Sequence, residues 1–125
     1  MPAGASGGNI WQQFGICSGP VRVTCVVDGD TFWLDGTKIR VADIDAPEMG
    51  EPKCASEKAL GERAKLRLRE MLNAGAFDLG TFENRDEDKY GQKLRVSMRE
   101  GQSLGDQLVT EGLARTWTGR REPWC

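Results

Sequence analysis

The sequence predicts an α+β fold built on a small antiparallel sheet closed into a Greek-key barrel. Three observations predict it. Residues 21–44 carry short strand-like runs separated by tight-turn signals, residues 56–73 switch to a helical period, and strand-like alternation returns at 76–82 and 93–100 before a second short helix. The resulting order is strand, hairpin, helix, strand, strand, helix. So short a sheet would leave open edges, and closure into a barrel removes them. There is no internal repeat and no internal boundary. Residues 17–125 therefore read as a single domain, within what 125 residues can support with a real core. Residues 1–16, beginning "MPAGASGGN", read as a disordered N-terminal segment.

Each element follows from local chemistry. In "VRVTCVV" (21–27), Val21, Val23, Cys25 and Val27 alternate onto one face, as in a strand. "DGD" at 28–30 makes a bend. "TFWL" (31–34) and "TKIRVADI" (37–44) are two strands joined by Asp35-Gly36, a strong hairpin signal. The two prolines and the glycine of "APEMGEPK" (46–53) make a loop. Leu60, Ala64, Leu68, Met71 and Leu72 fall three and four apart, with Ser56 as the expected cap and Gly75 as the expected stop of a helix over 56–73. "AFDLGTF" (76–82) and "KLRVSMRE" (93–100) flank the polar loop 83–92. In "SLGDQLVTEGL" (103–113), Ser103 and Asp106 resemble a capping box, and Gly112 ends the helix.

Composition excludes several chemistries. The chain has no histidine, which removes Ser-His-Asp and Cys-His catalysis, histidine-ligated zinc and a histidine base. Acid–base work falls to carboxylates, Lys or Tyr. A net charge of −2 argues against a protein that coats phosphate non-specifically. No apolar run is long enough to span a bilayer, and the start lacks the pattern of a signal peptide. Cys17, Cys25, Cys54 and Cys125 contain no C-x-x-C pair, so a four-cysteine zinc site is disfavoured. Cys17–Cys25, by proximity, with Cys54–Cys125, by elimination, is the favoured pairing of three; reduced cysteines are the alternative. Disulfides would place the protein in an oxidising compartment, secreted or periplasmic.

The chemistry concentrates in "DGDTFWLDGTKIRVADIDAPE" (28–48), with six carboxylates and two cations. If the hairpin pairs about Asp35-Gly36, Asp30 and Asp45 return side by side. Two adjacent carboxylates repel unless a cation sits between them, and oxygen-only ligands suit Ca²⁺ or Mg²⁺. Glu48, three residues on across Pro47, is placed to act as a general base. Arg40 is a guanidinium on a strand, suited to bidentate phosphate binding. The plainer alternatives are solvated turn acids and a surface strand arginine.

The combination "VVDGDTFWL", "IRVADIDAPE", "DKYG" and "SLGDQLVTEGLA" resembles the staphylococcal-nuclease-like (thermonuclease) family over about Val21 to Trp117. The resemblance implies a five-stranded OB-fold Greek-key barrel with two to three helices. It also implies Ca²⁺-dependent hydrolysis of phosphodiester bonds in DNA and RNA. By position it implies Asp30, Asp45 and the Ala46 carbonyl as calcium ligands, where the family usually has Thr at the last. It implies Asp28 as an acid behind the metal, Glu48 as general base, Arg40 as the first phosphate-clamping arginine, and Lys89 and Tyr90 as contacts to a terminal nucleotide phosphate.

Two positions depart from the pattern. The family's "D-[KR]-Y-G-R" reads "DKYGQ" here, so Gln92 stands where a second clamping arginine is expected. Glutamine loses the charge and the planar fork, and losing one preorganised donor costs roughly 10²–10³ in rate. Lys93 and Arg95 point away from the face of Gln92. Thr118 stands at the place of a base-stacking aromatic, with Trp117 beside it as the candidate substitute or as packing for the barrel. Arg115, Arg120 and Arg121 read as guides for a phosphate backbone or as a solvated tail. The expected function is a monomeric calcium-dependent nuclease of single-stranded DNA or RNA, weakened by Gln92, with no membrane partner. The rivals are a nucleic-acid-binding module with little catalysis and a protein-interaction domain that keeps only the fold.

Overall fold

The computed structural model describes residues 8–125. In chain order its elements are β1 (Gly15–Ile16), β2 (Cys25–Asp28), β3 (Thr31–Leu34), β4 (Thr37–Val41), β5 (Ile44–Asp45), α1 (Ala55–Asn73), β6 (Asp78–Thr81), β7 (Lys93–Arg99), β8 (Gln102–Ser103), α2 (Leu104–Thr110) and β9 (Arg115–Thr116). A seven-stranded sheet runs β1-β2-β3-β4-β7-β6, with β8 on β7, and β5 pairs with β9 in a second, two-stranded sheet. The class is α+β with two helices. The sheet is mixed rather than antiparallel, because β1–β2 and β4–β7 run parallel. The long connection between β4 and β7, which includes α1 and β6, is what permits the parallel pairing.

The β3–β4 hairpin forms as its turn dictates. Asp35 and Gly36 both take positive φ (50° and 85°), the pair a two-residue type I′ turn needs. Its register sets Thr31 against Arg40 and Leu34 against Thr37.

The first strand is shorter than the alternation predicts. Val21 and Val23 are exposed, and β2 begins only at Cys25. The Cys17–Cys25 disulfide holds this entry, and a bulge between Val26 and Asp28 shifts the register. Val26, not Val27, is therefore the fully buried side chain.

Helix α1 buries Ala64, Leu68, Met71 and Leu72 as the spacing predicts. Its caps differ from expectation. Cys54, fixed by the Cys54–Cys125 disulfide, is the N-cap and makes no side-chain cap bond. Glu57 in the first turn instead accepts the Lys53 N–H at 2.7 Å. At the other end the cap is Ala74, and the Arg99 guanidinium donates to the Met71, Gly75 and Ala76 carbonyls, satisfying groups the helix leaves free. In α2, Ser103 caps through the Asp106 N–H as predicted, and Gly112 follows at φ 78°.

The core joins Phe14, Val26, Phe32, Ile39, Val41 and Ile44 to the buried faces of both helices and to Phe77. Phe14 and Ile10 lie within the segment expected to be disordered. Phe14 is nonetheless buried edge-on against Phe32, and Ile10 exchanges backbone hydrogen bonds with Phe77. Packing therefore begins before residue 17; residues 1–7 lie outside the described residues. No helix among the described residues is long and apolar enough to cross a membrane.

Candidate functional site

The site is assembled at one end of the β3–β4 hairpin. The "DGD" bend between β2 and β3 is tied to β4 by Val41 N–H donating to the Asp30 carbonyl at 2.8 Å. Gly29 has no room for a side chain: a Cβ there would stand 2.7 Å from the Ala64 Cβ and 2.8 Å from the Ala46 Cβ. Glycine thus lets the bend sit directly on α1 and on the chain after β5. Gly61 does the same for the loop carrying Glu48, because a Cβ there would meet the Met49 sulfur at 2.8 Å and the Pro47 carbonyl oxygen at 3.3 Å.

Asp30 and Asp45 do converge, at 1% and 2% exposure. The Ala46 N–H donates to Asp30 Oδ2 at 2.9 Å, and Thr31 Oγ1 donates to Asp30 Oδ1 at 3.0 Å. The positive charge between the two aspartates comes from the C-terminal tail. One terminal guanidinium nitrogen of Arg121 lies 2.5 Å from Asp45 Oδ1, 3.4 Å from Asp30 Oδ2 and 3.5 Å from the Ala46 carbonyl oxygen. These three oxygens are the ones expected to face a cation. The Glu122 N–H adds a 3.5 Å contact to Asp45 Oδ2. Farther on, the Arg115 guanidinium donates to the Pro123 carbonyl and lies 3.7 Å from the Trp124 ring centre, and Cys125 is bonded to Cys54. Residues 121–125 are folded back over the site rather than forming a free basic tail.

Arg40 is 7% exposed. One of its nitrogens lies 3.5 Å from Asp30 Oδ2, the same oxygen that Arg121 approaches, and its guanidinium stacks 5.4 Å from the centre of Trp117. Trp117 is fixed by its N–H donating to the Asp43 carbonyl. Glu48 is exposed beside this cluster, with its N–H held by Glu57 Oε2 and its Oε1 accepting the Gly50 N–H at 3.3 Å. Glu57, buried at 5% exposure, is a positioning residue that sequence reasoning missed. Its place three residues after the N-cap is the signal that could have found it.

A cleft of about 660 Å³ connects the remaining candidates. Asp28, Arg40, Glu48, Lys89, Tyr90, Gln92, Trp117 and Arg121 all line it. Lys89 and Tyr90 are exposed at its rim, with the ammonium 5.2 Å from the Tyr90 ring centre. Gln92 is engaged: with its amide oriented to suit both neighbours, it donates to Asp88 Oδ2 and accepts from the Lys38 ammonium, each at 3.2 Å. Lys93 and Arg95 are committed to Asp86 and Glu87, so neither supplies the charge that Gln92 lacks.

The acids at the centre do not titrate alike. Burial pushes Asp28 well above the usual aspartate range, and the neighbouring Asp30 adds to it. Burial also works against ionised Asp30, but Arg40, hydrogen bonding with Asp28, Arg121 and the Ala46 N–H outweigh it and hold Asp30 below that range. Burial raises Asp45, partly offset by Arg121. Asp28 is therefore the strained member. A carboxyl whose folded pKa is raised costs nothing at pH below the ordinary aspartate range, and destabilises progressively as pH rises toward and past its folded value. Asp28→Asn keeps the acceptor for the Asp30 N–H (3.2 Å) and removes that cost. Its melting midpoint in chelator is expected to exceed that of the natural sequence at pH 7 and to match it near pH 3, as thermal denaturation at the two pH values would show.

The donor set at Asp30, Asp45 and the Ala46 carbonyl is all oxygen, and it already accommodates one positive charge. It fits a hard divalent cation better than zinc or copper. Among the described residues no group of three or more acidic or cysteine side chains converges on one point, so any ion here would also draw on the carbonyl and on water.

Comparison with known proteins agrees with this geometry. The family model for staphylococcal nuclease homologues matches residues 38–123, a span beginning after Asp28 and Asp30. Endonuclease YncB of Bacillus subtilis (strain 168) is 34% identical over 99 residues, covering 76% of this chain and 46% of that protein. The SPbeta prophage-derived endonuclease YokF of the same organism is also 34% identical over 99 residues, covering 76% of this chain and 33% of its own length. An uncharacterized endonuclease of Haemophilus influenzae is 28% identical over 98 residues, with 74% and 49% covered. The chain thus spans half or less of the length of these curated relatives. With the family model covering most of the chain and the acid, arginine and cleft residues gathered in one place, this chain belongs to the staphylococcal nuclease homologue family.

Proposed function

We propose that the chain is a calcium-dependent nuclease that hydrolyses phosphodiester bonds of single-stranded DNA or RNA in the cleft between Arg40, Glu48, Tyr90 and Trp117. The observation that carries this reading is the convergence of Asp30 Oδ2, Asp45 Oδ1 and the Ala46 carbonyl on one positive charge, with Arg40 on the same Asp30 oxygen. The endonuclease names of the relatives support it. On the same reading, β2, β3, β4, β7 and β6 would form the family's OB-fold Greek-key barrel.

Asp30, Asp45 and the Ala46 carbonyl would hold the ion, with Asp28 behind them. When bound, calcium supplies positive charge against the phosphate oxygens as charge builds there. Arg40 donates to the non-bridging oxygens, preorganised by Trp117 beneath it. Glu48 takes a proton from a water whose oxygen bonds to phosphorus. The phosphorus–oxygen bond to the leaving strand breaks, and that oxygen takes a proton from solvent. Lys89 and Tyr90 at the rim receive a neighbouring phosphate. The aromatic face of Trp117 accepts any base, which favours unpaired strands. Two disulfides suit a secreted or periplasmic setting for a monomer.

A second reading is supported by Gln92, whose neutral amide is bound to Asp88 and Lys38: a nucleic-acid-binding module with weak catalysis. Thermal melts and cleavage assays separate the readings. The nuclease reading expects a higher melting midpoint in Ca²⁺ than in EDTA, because a ligand of the folded state alone stabilises it. It also expects cleavage by the natural sequence that increases in Gln92→Arg. Cleavage only in Gln92→Arg would favour the binding module. No calcium effect on the melt and no cleavage would leave neither a metal site nor an enzyme.

A further inference from the structure

We infer that Arg121 has two roles at this site: it is the resident counter-cation that a divalent ion displaces, and, once displaced, it is the second arginine on the substrate phosphate. This rests on the calcium-dependent reading above and deepens it. Arg121 contacts all three oxygens of the proposed metal set through one guanidinium nitrogen, so an ion there and Arg121 cannot hold the same oxygens together. Its contacts with Asp30 and Asp45 are charge-assisted, the strong kind of hydrogen bond. Yet its side chain is 48% exposed, so it can swing aside without opening the core.

Where it would swing is set by its surroundings. Arg121 already lines the cleft with Arg40, Glu48 and Trp117. Its nitrogen and one of Arg40's lie 3.4 and 3.5 Å from the same Asp30 oxygen. The two guanidinium groups therefore stand within reach of one phosphate. The disulfide at Cys125, four residues on, and the Arg115–Pro123 bond keep the tail over the cleft while the side chain moves. Gln92, held by Asp88 and Lys38, cannot fill that role. Arg121 is the cationic side chain of the cleft placed beside Arg40 by a shared carboxylate oxygen. With the competing cation removed, the acids bind metal more readily; with the second arginine removed, phosphate is held less well. The two effects have opposite signs, which a merely structural contact would not produce.

The test uses Arg121→Gln and, as a control for net charge, Arg22→Gln, whose guanidinium donates to the Gly19 carbonyl ahead of β2, at the end away from the "DGD" bend. Ca²⁺ alone is titrated calorimetrically. Binding of a single-stranded oligothymidylate is followed by fluorescence anisotropy in saturating Ca²⁺, with Glu48→Gln introduced in every variant to prevent cleavage. Arg121→Gln is expected to bind Ca²⁺ about tenfold more tightly and the oligonucleotide about tenfold more weakly, the scale of one charged hydrogen-bonding group. Arg22→Gln is expected to change neither by more than about twofold. Unchanged or weaker Ca²⁺ binding in Arg121→Gln, unchanged oligonucleotide binding, or equal effects from Arg22→Gln would overturn the inference. If the natural sequence and Arg121→Gln both fail to bind Ca²⁺, the calcium reading fails and this inference with it; equal binding by both overturns the role of Arg121 alone.

Discussion

Glu48→Gln is expected to lower calcium-dependent cleavage of single-stranded DNA by about 10²–10⁴-fold, the usual contribution of a positioned general base. The substitution changes little else. Glutamine is isosteric, can still accept the Gly50 N–H through its amide oxygen, and leaves the Glu48 N–H on Glu57 undisturbed. Calcium affinity, read calorimetrically, is expected to stay within about threefold, because a glutamine oxygen and the retained loop geometry leave the Asp30–Asp45 set intact. A loss confined to the rate would place Glu48 in the chemical step. An equal loss of calcium binding would make it a ligand instead. Glu57→Gln offers a graded comparison: the neutral amide weakens the hold on two backbone N–H groups, so cleavage should fall less than in Glu48→Gln.

Phe32→Ala is expected to destabilise the fold by about 3–5 kcal/mol, read from the midpoint of urea unfolding. Phe32 has no exposed surface and lies edge-on against Phe14, with ring centres 5.6 Å apart. Its loss leaves a cavity between β3 and the N-terminal segment, and removes an aromatic pair worth more than its area alone. The site should suffer along with the fold. Thr31, next in the strand, sits opposite Arg40, and Asp30 precedes it. A domain of this size has roughly 5–15 kcal/mol in total, so a large share of its stability would go. A cost under about 1 kcal/mol would mean that Phe14 and its segment collapse into the space, and that the N-terminal packing is less specific than the geometry indicates.

What the sequence made legible was whatever is set by neighbours along the chain. Asp35-Gly36 dictated its own turn, which sets Val41 against Asp30, but the expected strand over 37–44 breaks at a turn over 42–43, and it is β5, paired with β9, that carries Asp45 to the site. The period of residues 56–73 placed the buried face of α1. Ser103 and Asp106 gave the N-cap of α2. The errors have physical causes too. Val21 and Val23 alternate like a strand, but pairing begins only at Cys25, where the Cys17–Cys25 bridge fixes the chain. Ser56 looked like a cap, yet the disulfide at Cys54 fixed the helix start and left Glu57 to collect the loop's N–H groups. The Gly/Ala/Ser-rich start "MPAGASGGN" suggests disorder through residue 16, whereas the Phe14 ring, packed into the core against Phe32, anchors the chain around it.

Arg121, which the sequence offers as a guide for a phosphate backbone or as part of a solvated tail, instead sits between Asp30 and Asp45. Locally it is one arginine in a short basic tail, the commonest kind of solvated charge. Its partners lie 91 and 76 residues earlier in the chain. No periodicity connects such positions. The Cys54–Cys125 bridge was the only signal, because pairing Cys125 with the residue just after the Glu48 loop obliges the tail to cross the acids.

The most direct test of the account is cleavage of a 5′-labelled single-stranded DNA oligonucleotide by the natural sequence in Ca²⁺ or in EDTA, beside Asp45→Asn. Cleavage is expected in Ca²⁺ and not in EDTA, with a loss of about 10²-fold or more in Asp45→Asn that higher Ca²⁺ partly restores. Equal cleavage in EDTA, or full activity in Asp45→Asn at limiting Ca²⁺, would contradict the assignment of the Asp30–Asp45 pair as the centre of the reaction.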